Sequence, residues 1–382
     1  MRDDFYLTDE QREMRDLVRT LARERIAPLA AHVDEAEAYP DKQIELLGKH
    51  GLMGLYIPEA YGGSAMGTLA FCLAVEEIAW ACASTAVIYL VQYAGGWPIV
   101  AAGSEEQKRR YLPRLASGEI TAAFSLSEAG AGSDAAAIAT RAVRTGDRYV
   151  LNGVKLWVSN GSQASVITLF ATVDHSRGKS GVTAFLVEPT FAGFAFGKLE
   201  RKMGIRGSPT VALHLTDCEV PVENRLGEEG DGFKVALRTL DGSRPAVGAE
   251  AVGIAQAALD AATAYAKERR QFGQPIASFQ GLQFMLADMA MHVHGSRLLV
   301  HHAASLVDRG AGSTAVESSM AKCFAADAAM KVTTDAVQVL GGYGYTREYP
   351  VERFMRDAKI TQIFEGTNQI QRMVIGRELT GR

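Results

Sequence analysis

Cysteine is scarce in this 382-residue chain: Cys72, Cys82, Cys218 and Cys323 lie far apart, with no Cys-x-x-Cys pair. That spacing argues against a disulfide-stapled scaffold and predicts buried free thiols in a reducing compartment. Long apolar stretches are missing too, and no run of about 18 such residues offers a bilayer span. The start, Met1-Arg2-Asp3-Asp4, is charged and leads into no apolar signal region, so a cytoplasmic location is expected. The formal charge of −4 is spread along the chain, without the basic block that a nucleic-acid surface needs. His292, His294, His301 and His302 share one predicted helix. No acidic or thiol ligand accompanies them at ligand spacing, so no metal site is expected.

What is present has the composition of a soluble globular protein, long enough for two or three domains. The first part is helical. Thr8-Asp9-Glu10-Gln11 reads as a capping box ahead of Met14, Leu17, Val18, Leu21 and Ile26 at helical spacing. The small, apolar segment 67–83 predicts a helix packed on more than one side, and Ser104-Glu105-Glu106-Gln107 opens another. Between about residues 119 and 228, β-branched and aromatic runs alternate with turn signals, and Asn152-Gly153 reads as a hairpin turn. Helical patterns return at 245–268, 278–308 and 314–339, interrupted by the basic loop Arg269–Pro275 and by Gly341-Gly342. The fold class is therefore α+β: an N-terminal helical domain over 1–118, a central antiparallel β-sandwich or barrel domain over 119–228, and a C-terminal helical domain over 229–382.

Two stretches carry chemistry on their residues alone. Phe124 to Ala135 contains Gly-x-Gly-x-x-Ala after a strand-like run, formally a dinucleotide fingerprint. A βαβ unit should follow it, and strands with tight turns follow instead. Its glycines still admit close backbone approach to a ligand, with Ser127 and Ser133 as donors. Near the other end, Glu365 sits in Ile363-Phe364-Glu365-Gly366-Thr367-Asn368-Gln369-Ile370-Gln371. A carboxylate among apolar neighbours loses hydration, so its pKa rises toward that of a useful base. The plainer reading of the same residues is a loop whose Thr367 or Asn368 caps the last helix.

These motifs resemble those of acyl-CoA dehydrogenases. Phe124 to Asp134 is similar to the family's Ala-x-Thr-Glu-Pro-x-Ala-Gly-Ser-Asp signature, with Ala129 in place of proline. Trp157-Val158-Ser159-Asn160-Gly161 resembles Trp-Ile-Thr-Asn-Gly, and Arg269 to Pro275 resembles Arg-x-x-Phe-Gly-x-Pro. Gln338 to Tyr345 resembles Gln-x-x-Gly-Gly-x-Gly-Tyr, and Ile363 to Gln371 resembles Ile-Tyr-Glu-Gly-Thr-x-x-Ile-Gln. The motifs fall in the family's order and span nearly the whole chain.

The resemblance implies a C-terminal four-helix bundle and a non-covalent FAD between it and the β domain. It implies removal of an α-proton and a β-hydride from an acyl-CoA, giving a trans-2-enoyl-CoA. Glu365 matches the base of the short- and medium-chain branch. Phe124, Leu126, Ser127, Gly132, Ser133, Trp157, Val158 and Ser159 would hold the flavin and its ribityl chain. Arg269, Phe272, Gln280, Gln338, Val339, Gly341 and Gly342 would reach the pyrophosphate and adenosine, partly from a neighbouring subunit. Thr367, Asn368 and Gln369 would touch the cofactor beside the base. Ser133, Asp241, Ser243, Arg244 and Gly366 would meet the substrate. Ser243 stands where the family usually has glycine and where other branches carry their glutamate, so Glu365 has no rival there. Residues 84–103 offer no arginine for a terminal carboxylate, which argues against a glutaryl-type decarboxylating member. Gly95-Gly96-Trp97 is expected near the pocket end, where it would favour a short, branched or cyclic acyl group. A homotetramer passing electrons to an electron-transfer flavoprotein is the expected assembly. The alternatives are an oxidase or enoyl-CoA reductase of the same fold, or a thioester-binding protein without activity.

Overall fold

The computed structural model describes residues 6–310 and 312–381; the charged Met1–Asp4 stretch lies outside them. Six helices come first: α1 Asp9–Leu21, α2 Ala30–Glu35, α3 Asp41–Lys49, α4 Gly67–Ala81, α5 Ala83–Ala102 and α6 Glu105–Ala116. Both capping boxes form, with Thr8 Oγ1 accepting from the Gln11 N–H and Ser104 Oγ from the Gln107 N–H, each at 3.2 Å. These bonds satisfy N–H groups that a helix start otherwise leaves orphaned.

Helices α4 and α5 are buried almost all round, as their small and apolar residues dictate. The expectation that nothing could span a bilayer needs correction. By length and composition α5 is long and apolar enough, but 72% of its most apolar window is buried inside the protein. Its glycines serve packing: a Cβ at Gly95 would lie 2.7 Å from Ala122 Cβ, and one at Gly96 would collide with the Tyr56 hydroxyl. They bring α5 against the sheet and Tyr56.

Eight strands form the middle sheet: β1 Ala122–Ser125, β2 Arg141–Thr145, β3 Arg148–Ser159, β4 Val166–Thr172, β5 Val182–Val187, β6 Phe194–Leu199, β7 Thr210–Pro221 and β8 Arg225–Leu226. Their order is β6-β7-β3-β2-β4-β5-β8, with β1 beside β4. Pairing is mostly antiparallel, but β1 runs parallel to β4 from Ala122↔Val166 to Ser125↔Leu169. Asn152-Gly153 is not a turn. The β2–β3 hairpin closes at Gly146-Asp147, with Thr145 opposite Arg148 and Gly146 at φ +63°. Gly153 marks an irregularity inside β3, where any Cβ would strike Thr140, and Asn152 holds Asp217 of β7 through both its amide atoms.

The chain then returns to helix: α7 Gly232–Glu268, the β9 Arg270–Gln271 and β10 Gln274–Pro275 hairpin, α8 Gln280–Asp308, α9 Ala315–Leu340, α10 Val351–Thr361 and α11 Asn368–Thr380. Helix α7 starts earlier than periodicity suggests and runs straight through Pro245. Proline lacks the N–H that should bond the carbonyl four residues back, on Asp241. The Ser318 hydroxyl of α9 donates to that carbonyl at 2.8 Å, so the orphan is satisfied from a neighbouring helix. One apolar core runs without interruption from Met14 through α4 and α5 to Ala358, and a second lies under the sheet. All four cysteines are buried and free. The Glu365 loop joins α10 to α11 and meets α7 at Ser243 and Arg244 and α9 at Lys322.

Candidate active site

Helix α10 ends with the Ile363 and Phe364 N–H groups both donating to the Ile360 carbonyl, at 2.8 and 3.0 Å. Helix α11 starts where Thr367 Oγ1 accepts from the Ile370 N–H. Between them Glu365 and Gly366 both take positive φ, +53° and +89°. Glycine accepts that conformation freely, whereas for glutamate it is strained and must be held by its surroundings.

Several side chains hold it. Gln371 Nε2 donates to the carbonyls of Glu365 and Gly366, at 3.2 and 2.8 Å. Lys322 Nζ donates to Gly366 O and to Asn368 Oδ1, both at 2.9 Å, and burial pushes its ammonium down to about 8. Asn368 is buried, and its amide nitrogen is spent on Cys323 O and Asp327 Oδ1, so it faces α9. Thr367 is half-buried and Gln369 exposed.

The carboxylate of Glu365 points at α7, where Ser243 Oγ donates to its Oε2 at 2.5 Å. Burial raises its carboxyl above the ordinary glutamate range, and Ser243, Arg244 and Lys322 partly offset that rise. Arg244 is buried beside Asp241, with Nη1 at 3.4 Å from Oδ1. Among the described residues nothing accepts the Glu365 N–H. Asp241, Ser243, Arg244, Glu365 and Gly366 thus come together as expected. Ser243 is fully enclosed, with its hydroxyl on the carboxylate. Lys322 and Gln371 join the site without a role expected from the sequence. A lone lysine among Ala321, Cys323 and Ala325 on a buried helix face was the available signal for the first.

The glycine loop forms a second cluster. Glu128 folds inward and accepts from the Ala139 and Thr140 N–H groups at 2.8 and 3.1 Å, and from Lys155 Nζ at 2.7 Å. Burial alone would push its carboxyl up, but Lys155 and these bonds leave it below the ordinary value. Lys155 Nζ also holds Leu126 O, and the Leu156 N–H holds Ser127 O. The loop is thereby fixed on β3 while Gly130, Gly132 and Ser133 stay exposed. A Cβ on Gly130 or Gly132 would meet nothing within 4 Å, and neither has a positive φ. The chain's own packing does not call for glycine there, whereas a ligand lying on the loop would. Beside it, Trp157 sits in a break of the β3–β7 register at φ +61° and is 63% exposed. Such a bulge re-aims a side chain, and this one turns an indole outward. Val158 is buried under the sheet, Phe124 packs on Phe170, and Leu126 and Ser159 are half-buried.

A third cluster lies at the far end of α7. Arg269 stands over the Tyr343 ring at 5.6 Å. With Gln271, Val339, Gly341 and Gly342 it lines a cavity of about 570 Å³. Phe272, at the hairpin tip, is 92% exposed, and Gln280 and Gln338 are exposed nearby. Among the described residues, no hydrogen bond or ring contact joins this cluster to the other two within one chain. The residues present fit FAD: a glycine loop open to a ligand, an outward indole, and an arginine beside a glycine turn suited to a diphosphate.

A helix–sheet–helix chain with such a loop and a half-buried carboxylate held by a serine is the framework of an FAD-dependent oxidoreductase. Its residues 8–119, 123–218 and 230–380 match the N-terminal, middle and C-terminal domains of acyl-CoA dehydrogenases, and the chain belongs to the acyl-CoA dehydrogenase family. It is 50% identical to a probable acyl-CoA dehydrogenase, FadE25, of Mycobacterium tuberculosis over 99% of this chain and 97% of that one. It is also 50% identical to a cyclohex-1-ene-1-carbonyl-CoA dehydrogenase of Geobacter metallireducens, over 98% and 99%. The structure of butyryl-CoA dehydrogenase from Megasphaera elsdenii superposes with a TM-score of 0.96 at 45% identity, over 99% and 100%.

Proposed function

We propose that this chain oxidises a short, branched or cyclic acyl-CoA between its α and β carbons to the trans-2-enoyl-CoA, with Glu365 as the base. The observation that carries the reading is the Glu365 carboxylate, half-buried, raised in pKa and aimed from a strained loop at α7. A thioester α-proton is weakly acidic, so a base with a raised pKa suits its removal. With Oε2 held by Ser243, Oε1 is the oxygen that takes the proton. The Glu365 N–H, without an acceptor among the described residues, donates to the thioester oxygen as negative charge develops there. Arg244 and Asp241 orient the CoA end, together with Ser133 and Gly366. When bound, FAD supplies the acceptor for the β-hydride.

Phe124, Leu126, Ser127, Gly132 and Ser133, with Trp157, Val158 and Ser159, hold the flavin end, and Thr367, Asn368 and Gln369 flank it. Arg269, Phe272, Gln280, Gln338, Val339, Gly341 and Gly342 serve the adenosine and pyrophosphate end of a cofactor in a neighbouring subunit. That division is supported by the separation of the third cluster from the other two within one chain. Exposed Phe284, Met291 and Leu298 at seven-residue spacing on α8, with Met320 and Phe324 on α9, support a homotetramer. An electron-transfer flavoprotein in the cytoplasm takes the electrons onward. The cyclic and butyryl substrates of the two relatives support the size of the acyl group.

The test is Glu365→Gln. It should keep the yellow flavin absorbance yet fail to bleach with any saturated acyl-CoA, and bleaching at the wild-type rate overturns the assignment. Reoxidation of the reduced enzyme by an electron-transfer flavoprotein should far outpace reoxidation by oxygen.

A further inference from the structure

Two turns along α7 from Ser243 lies another carboxylate, Glu250, with no exposed surface. Neither of its oxygens meets a hydrogen-bond donor among the described residues. Seven residues of helix return the side chain to the same face, about 10 Å further along the axis. It therefore lies on the side of α7 that Glu365 contacts, deeper in the protein. The charged groups that face it are Glu365 and, on α10, Asp357. Neither offers it a cation, and Asp357 is itself engaged with the Ile205 N–H at 2.6 Å. Burial, and then these two like charges, push the Glu250 carboxyl well above its ordinary range.

Neighbouring positions on α7 are closed by tight packing against other helices. Gly248 abuts Val300 and Ala321, and Gly253 abuts α4 at Glu76 and Ala79. On α7, Glu250 is the residue whose buried side-chain oxygens lack partners among the described residues. A buried polar group without a partner is costly, and a leucine or methionine would fill the same volume without that cost. A ligand atom that donates a hydrogen bond removes the cost.

We propose that Glu250 is a specificity residue of the acyl site, accepting a hydrogen bond from a hydroxyl or ammonium group carried on the acyl chain beyond the reacting carbons. This rests on the placement of the reacting carbons at Glu365. A site with an unpartnered buried acceptor discriminates against the analogue that lacks the donor, because binding that analogue leaves the acceptor unpaired.

The experiment compares kcat/KM of the FAD-loaded enzyme for matched acyl-CoA series: unsubstituted, terminal hydroxy and terminal amino, at each length from four to eight carbons. A donor-bearing thioester should exceed its unsubstituted partner by roughly tenfold or more at one length. A hydroxy preference identifies the neutral donor, and an amino preference identifies the cation. Glu250→Leu should erase the preference and raise activity on the unsubstituted chain. Glu250→Gln, which keeps one acceptor oxygen, should retain part of a hydroxy preference and lose an amino one. Wild-type enzyme that bleaches with acyl-CoA yet favours unsubstituted chains at every length overturns the proposal without recourse to a variant. So does a preference unchanged in Glu250→Leu. An FAD-loaded wild type that bleaches with no member of the series overturns the dehydrogenation reading, and this one with it.

Discussion

Ser243 and Glu365, 122 residues apart, share a 2.5 Å hydrogen bond between the α7 hydroxyl and the loop carboxylate. The bond favours the ionised form and so works against burial, which favours the neutral one. Burial and the Ser243 bond thus pull the carboxyl in opposite directions, and burial has the larger effect.

Removing that bond tests the balance. In Ser243→Ala the carboxyl is left to burial, and its pKa should rise further. A base that stays protonated to higher pH is lost from the acid side, so the acid limb of the kcat/KM profile should move upward. A hydrogen bond to a charged group contributes about 1.5–3 kcal/mol, so activity below neutrality should fall roughly tenfold or more. Activity well above the shifted limb should recover. An acid limb that stays in place would show that Ser243 does not tune the base.

Local features were legible from sequence where the physics is local. The caps at Thr8, Ser104 and Thr367 need only residues within a turn of one another, and all three form. The turn expected at Asn152-Gly153 was misplaced because its glycine answers to Thr140 across the sheet, a contact invisible along the chain. The early start of α7 was hidden by Pro245, whose missing donor to the Asp241 carbonyl is replaced by Ser318, 77 residues beyond Asp241. In the site, the motif spacing marked Glu365 and the residues after it. It did not mark Lys322, nor the bond from Ser243, because their meaning depends on which helix faces them.

Asp357 gives a pH dependence of stability with a definite sign. It is buried on α10, and burial raises its carboxyl to about 6 against the pull of the Ile205 N–H. An aspartate in the unfolded chain titrates near ~3.9. Between those values the folded protein holds a proton that the unfolded chain releases. The group's contribution is therefore complete below about pH 4 and is lost as pH rises through about 6. Asp357→Asn cannot ionise and can still accept from Ile205. Relative to this variant, the wild type should lose on the order of 2–3 kcal/mol between pH 4 and pH 7. Urea unfolding at a series of pH values measures the difference, and two parallel stability–pH curves would contradict it.

Gly132 separates the needs of the ligand from those of the fold. A methyl group placed there would touch no atom of the chain within 4 Å, and its backbone has no positive φ to strain an alanine. Gly132→Ala should therefore leave the melting temperature of the cofactor-stripped protein unchanged, or raise it slightly by restricting the unfolded chain. The loop itself stays pinned by Lys155 on Leu126 O and by the Leu156 N–H on Ser127 O, neither of which the substitution reaches. FAD lying against the loop would meet the added methyl directly, so the variant should bind it more weakly, by about tenfold for a loss of ~1.4 kcal/mol. The stabilisation that FAD confers on melting should shrink in step, since a ligand stabilises in proportion to the logarithm of its concentration over Kd. Equal FAD affinity in variant and wild type would place the cofactor off this loop. A lower melting temperature in the stripped variant would show instead that the chain's own packing needs the glycine.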